Sequence, residues 1–234
     1  MADQLYLSLW FPNFRFDALP EKLVSVMRQF ALVSGSQESK RVAASSVYPI
    51  GFNEAPTYQR LYVNDDRAED TSASIIENAV AEATEQLHDD MAYEFEMRWK
   101  LWSPEAGESH PTRTEAPDPD FDQDDDYAAL DTLWKLQPAT VRILGLGPQF
   151  DDASFEQNGH IRIDFGLDTP WLAETLDDED LDEDAAKYIQ QNVEKLLAFT
   201  LSVEKNCGIS SRLLWTESGE PLAQKLIDRL QRLN

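Results

Sequence analysis

The chain has a single cysteine, Cys207, in 234 residues. No internal disulfide can form, which fits a reducing compartment. Histidine is almost as scarce. His88, His110 and His160 stand far apart, and none has a second His or Cys at metal-ligand spacing. A zinc site therefore has no support, and no metal or cofactor is expected. Apolar runs are short, and none approaches the length that spans a bilayer. The opening MADQLYLSLWFPNF has no basic flank, and Ser8, Pro12 and Asn13 break its apolar run. It reads as a strand and not as a signal peptide.

Positive charge is the other shortage. Twenty Lys and Arg face 44 Asp and Glu, a formal net charge of −24. Phosphate backbones and anionic membranes are poor partners for such a surface, so neither nucleic acid nor membrane is expected. The expected setting is the cytoplasm of a bacterium. The negative charge is also local. Residues 104–140 hold ten acids against Arg113 and Lys135, and residues 168–184 hold nine acids and no base. Such loops solubilise by self-repulsion or dock a basic partner.

Chemical motifs are missing too. Asp118, Asp120, Asp122 and Asp124 alternate like calcium donors. The central Gly of a calcium loop is absent in either register starting at Asp118 or Asp120, and no helix precedes them. Gly145-Leu146-Gly147-Pro148 imitates a nucleotide loop, but Phe150 stands at the third glycine position and Pro148 removes an N–H that phosphate would need. No Gly-x-Ser-x-Gly elbow occurs. With 44 acids, chance carboxylate pairs are too abundant to single one out. Cys207 sits at a helix C-terminus beside Lys205, where a packed thiol is expected and a reactive one is not.

What the chain does have is a core and a clear pattern. Hydrophobic residues make up 42% of it and aromatic residues 10%. In residues 91–102, Tyr93, Phe95, Met97, Trp99 and Leu101 alternate with Glu94, Glu96, Arg98 and Lys100, which predicts a half-buried strand. A strand over 5–11 precedes a helix carrying Leu23, Val26, Met27 and Phe30, stopped at Ser34-Gly35-Ser36. Strands at 42–50 and 57–63 make a hairpin. A helix with Ile76, Val80, Ala83 and Leu87, capped by Asp70 or Thr71, leads into 91–102. Beyond the proline-containing acidic stretch come a short helix over 127–136 and strands at 141–150 and 160–165. A helix with the stripe Ile189, Val193, Leu196, Leu197 and Leu201, a strand at 209–216 and a last helix from Pro221 complete the chain.

The first part thus runs β-α-β-β-α-β, the order of a ferredoxin-like antiparallel sheet with helices on one face. The expected fold class is α+β. Residues 1–103 form the first unit, 104–126 an acidic linker or loop, and 127–234 a second, reduced α+β unit. Ordered matches suggest an imperfect internal duplication: Ile76 and Val80 fall on Ile189 and Val193, Leu101-Trp102 on Leu214-Trp215, and Pro12-Asn13-Phe14 on Pro148-Gln149-Phe150.

Trp10 and Trp102 fall on the strand parity opposite the core. With Arg98, Lys100 and the matching Trp215 they form either an exposed binding platform, a homodimer face, or a layer buried between the halves. Three functions fit. One is a non-catalytic intracellular binding or interaction protein. Another is a small-molecule enzyme with its site between the halves, where Arg60, Arg98, Arg162 or Arg212 holds an anion. The third is an acidic, immunity-like inhibitor that masks a basic partner through residues 177–184.

Overall fold

The computed structural model describes residues 3–35, 42–62, 72–104, 134–151, 158–172 and 183–218. Its frame is one seven-stranded sheet, and every neighbouring pair is antiparallel. The strands are β1 (Gln4–Trp10), β2 (Val42–Pro49), β3 (Tyr58–Leu61), β4 (Met91–Pro104), β5 (Trp134–Leu146), β6 (Ile161–Leu167) and β7 (Ser211–Thr216). Their order across the sheet is β3-β2-β4-β5-β6-β1-β7. The helices are α1 (Leu19–Ser34), α2 (Ser72–Ala83), the short α3 (Thr169–Leu172) and α4 (Glu183–Asn206). The fold class is α+β, as the pattern predicts. No helix of the described residues is long and apolar enough to cross a membrane.

Alternation builds the core. Leu5, Leu7 and Leu9 of β1, the odd residues Tyr93–Leu101 of β4, Val141 and Ile143 of β5, and Ile161 and Ile163 of β6 face one way and are buried. The helices cover them with the stripes expected from their spacing in α1 (Leu23, Val26, Met27, Phe30) and α2 (Ile76, Val80). On α4 the buried side is Leu196 with Phe199. Leu197 and Leu201, expected in the stripe, are exposed because they fall outside the arc that faces the sheet. Trp99 is the centre of the layer. Phe30 tilts against it at 5.2 Å, Phe165 stacks on it at 5.5 Å and Trp171 lies at 6.2 Å. Gly35 ends α1 in the left-handed conformation (φ 76°), which glycine adopts without a Cβ penalty. Gly145 serves packing: a Cβ there would stand 2.9 Å from Leu19 Cδ1, so α1 could not lie on β5.

The connectivity departs from the ferredoxin-like expectation. That fold sets its first strand in the middle of its own four. Here β1 pairs with β6 and β7, while β4 pairs with β2 and β5. The two stretches read as separate units therefore contribute to one sheet. The segments matched as duplicates sit in different places, β4 inside the sheet and β7 at its edge. The helix expected over 127–136 is replaced at its described end, since Trp134–Leu136 already belong to β5 and pair with 102–104 of β4. The calcium-like run 118–131, the acidic residues 177–182 and the last helix lie outside the described residues.

Candidate functional site

The four described helices lie on one face, so the other face carries the even-numbered side chains of β4 and whatever the register sets beside them. One rung reads Ser46, Glu94, Leu144, Arg162, Ser8 and Leu213 from β2 to β7. The next reads Ala44, Glu96, Arg142, Asp164, Tyr6 and Trp215. Cross-strand neighbours on one face are within side-chain reach, so each rung is a chain of contacts. Arg142 lies between two acids, 3.6 Å from Glu96 and 3.7 Å from Asp164. Tyr6 and Trp215 pack at 4.8 Å between centroids, and Trp215 Nε1 donates to Ser8 Oγ at 3.0 Å.

At one end the face has its own small apolar cluster of Ala92, Leu144, Leu146 and Phe150, with Tyr48 against it. Phe52 packs edge-on to both Phe150 and Tyr48. It also lies over Arg162, whose guanidinium is held between the Phe52 ring at 5.5 Å and the Tyr6 ring at 5.3 Å. Stacked geometry of this kind suits a delocalised guanidinium. Arg162 Nε is buried without a hydrogen-bond partner. The loop that brings Phe52 into place is strained. Ile50, a β-branched residue, has φ 63°, and Asp151 has φ 51°. The Asp151 N–H donates to the Ile50 carbonyl at 2.9 Å, joining the two turns.

Glu94 is the unusual group. Its residue is only 9% exposed, and it makes no hydrogen bond or ion pair among the described residues. Burial pushes its carboxyl above the ordinary range. Arg142 and Arg162 oppose that shift, while Glu96 and Asp164 add to it. Burial likewise raises the Tyr6 hydroxyl, helped by Asp164, and the Tyr48 hydroxyl, helped by Glu94. Burial lowers Arg162, which nonetheless stays charged, as guanidinium does in proteins.

The five residues read as one platform are not brought together. Trp215 joins the second rung. Trp10 is on β1 opposite Ser211, and its carbonyl accepts from Ser210 N at 2.7 Å. Arg98 and Lys100 lie farther along β4, opposite Thr140 and Pro138. Trp102 turns to α4: its ring lies 4.2 Å from that of Tyr188, and its Nε1 donates to Gln191 Oε1 at 2.9 Å. Of the four strand arginines, Arg162 is central to the site and Arg98 lies on the same face. Arg60 is on the helix side, paired with Glu82, and Arg212 pairs with Glu204 at 3.0 Å. Glu96, Arg142, Asp164, Tyr6 and Phe52 escaped the sequence reading as a group. Only the alternation of 91–102 pointed toward them.

Other candidates are accounted for structurally. Cys207 is buried, accepts from Ser25 Oγ at 3.3 Å, and has its thiol pushed up by burial. His160 Nδ1 accepts from the Phe11 N–H at 3.0 Å, and its ring stacks on Phe14 at 4.0 Å. Among the described residues no group of three or more His, Cys, Asp or Glu is arranged to hold a metal ion.

No family model, curated protein or solved structure matches the chain. The reading of this face therefore rests on its own chemistry.

Proposed function

We propose that this chain is a non-catalytic binding protein, and that the sheet face opposite the described helices is its recognition surface. The observation that carries the reading is a face with half-buried ions at its centre and Tyr6, Phe52 and Trp215 around them. Arg, Tyr and Trp supply most of the energy at protein interfaces, where a charge is retained only if the partner satisfies it. An enzyme site is less well supported. Two clefts formed by described residues lie among the helices or at the β3 end. One, of about 530 Å³, lies between α1 and α2 and is bridged by the Arg28–Glu77 pair. The other, of about 310 Å³, lies between β2, β3 and the end of α2. Neither contains the ions described above.

The partner in this reading is a protein and not nucleic acid or membrane, because a net charge of −24 repels both polyanions. The same charge opposes a second copy of the chain, so a homodimer is the weaker alternative. An intracellular setting agrees with a single, buried, reduced thiol. The test compares capture from a lysate of the source cells by wild type, by Tyr6→Ala and Trp215→Ala on the face, and by Leu197→Ser and Leu201→Ser on the exposed side of α4. Proteins retained by wild type and the α4 variants but lost from the face variants support the reading. Identical retention by all of them overturns it.

A further inference from the structure

Glu94 stands where a stable sheet would do better with a neutral residue. A largely buried carboxylate with no hydrogen-bond partner is costly, and the charges of Arg142 and Arg162 offset its lost hydration only in part. The two bases whose charges act on it form no hydrogen bond or ion pair with it. Arg142 is shared between Glu96 and Asp164, and Arg162 is held between Tyr6 and Phe52. Around Glu94 lie the Ser46 position on β2 and Leu144 on β5, with Tyr48 and Leu146 toward the Phe52 end. An apolar floor and aromatic rings beside an unpaired carboxylate are the counterpart of a long cationic side chain. Its charge would reach Glu94, and its planar head would meet the exposed Phe52 ring.

We propose that Glu94 is the receptor for an arginine side chain presented by a basic segment of a partner protein. Arginine fits better than lysine, because a guanidinium pairs with a carboxylate through two parallel bonds and stacks on aromatic faces. Charge complementarity favours a cation over an anion at Arg162, since Glu94, Asp164 and Asp151 all bear on that guanidinium. The net charge of −24 steers a basic segment toward the molecule in the same sense. This inference rests on the sheet face opposite the described helices being the recognition surface.

The test titrates acetyl-arginine-amide, and separately its neutral isostere acetyl-citrulline-amide, into the full chain, followed by amide NMR. The arginine probe is expected to give saturable shifts centred on Ser46, Glu94 and Leu144. Citrulline should bind about tenfold more weakly, and Glu94→Gln should lose about tenfold for arginine, the scale of one charge-assisted hydrogen bond. Glu94→Gln should also melt no lower than wild type. The proposal is overturned if arginine shifts are spread over the acidic surface or persist in Glu94→Gln. It is equally overturned if citrulline binds as well as arginine, or if Glu94→Gln melts lower, which would mean that Glu94 already has a partner. The lysate capture separates the two readings. If Tyr6→Ala and Trp215→Ala lose the partner while Glu94→Gln keeps it, the arginine receptor fails and the face reading stands. If the arginine probe binds at Glu94 but no face variant changes capture, the face reading fails instead.

Discussion

Asn192 shows how much one side chain can decide. It is 2% exposed on α4. Its Oδ1 accepts from the Trp102 N–H at 2.9 Å, and its Nδ2 donates to the Trp102 and Pro170 carbonyls, each at 2.9 Å. The amide thus takes the place of a neighbouring strand where β2 has ended. Asn192→Ala leaves these backbone groups buried without partners and should cost about 2–4 kcal/mol, read as a lower urea midpoint. Asn192→Asp should cost at least as much, because a carboxylate cannot donate to two carbonyls. No local pattern marks this residue, since its partners are 90 and 22 positions away. His160 carries a second residue-scale prediction. Burial lowers its pKa, so the fold favours the neutral ring that accepts from Phe11. Its contribution is complete above about pH 6.5, the unfolded value, and is lost as pH falls through the lower folded value. His160→Phe should flatten the fall in urea midpoint between pH 7.5 and 5.5. Glu94 acts in the opposite sense. Its raised carboxyl favours stability below the unfolded value near pH 4.3, and that advantage is lost as pH rises through the folded value. The two effects are separated by comparing His160→Phe with Glu94→Gln.

At the scale of elements, the β4–β5 ladder is longer than the strands beside it. β2 stops at a pairing with Met97, and the β5–β6 ladder stops at Arg142 opposite Asp164. Beyond these points, residues 98–104 and 134–140 pair only with each other. Each outer edge is closed by a different device. On β4, Asn192 holds Trp102, and Lys195 Nζ donates to the Lys100 carbonyl at 2.9 Å. On β5, Pro138 removes an N–H from a row that is otherwise open to a new strand. Pro138→Thr should therefore leave the fold intact and promote self-association, seen as a concentration-dependent rise in mass by light scattering. A variant that stays as monodisperse as wild type would show that Pro138 does not guard the edge. The strand itself was half legible. The strand expected over 141–150 holds for 141–146, while 147–150 form a turn, and Leu130, Leu133 and Trp134 at helical spacing hide the start of β5. What makes Trp134–Leu136 a strand is β4 on the other side of a long connection, and no local window contains it. The site was legible to a similar degree. The period of two in β4 placed Glu94, Glu96 and Arg98 on a second face, whereas Arg142, Asp164 and Tyr6 join them only through the register of four strands distant in sequence.

On the scale of the whole molecule, the unforeseen fact is where the first strand goes. Helices, hairpin and core stripes all follow from local periodicity. Strand neighbours do not, because an antiparallel edge accepts any strand of suitable length and hydrophobicity. β1 runs between β6 and β7, and further bonds fix it there. Asp3 N donates to Asp168 Oδ1 at 3.0 Å, Asp168 N donates to the Asp3 carbonyl at 2.8 Å, and Glu217 N donates to the Gln4 carbonyl at 3.0 Å. Leu5, Leu7 and Leu9 meet α1 and α4 in one core, with Phe30, Trp99, Phe165 and Phe199 as its aromatic centre. Residues 1–103, the expected ferredoxin-like unit, thus contain β1 without either of its partners and β4 without β5. Expressed alone, that fragment should lack dispersed amide resonances and cooperative melting, because its buried leucines and Trp99 would be left without cover. Mixing it with a fragment of residues 104–234 should restore both, since all six strand pairings can then form. Fragment 1–103 folding cooperatively by itself would show that β1 can close a sheet within the first half, and the seven-stranded order would not be required for stability.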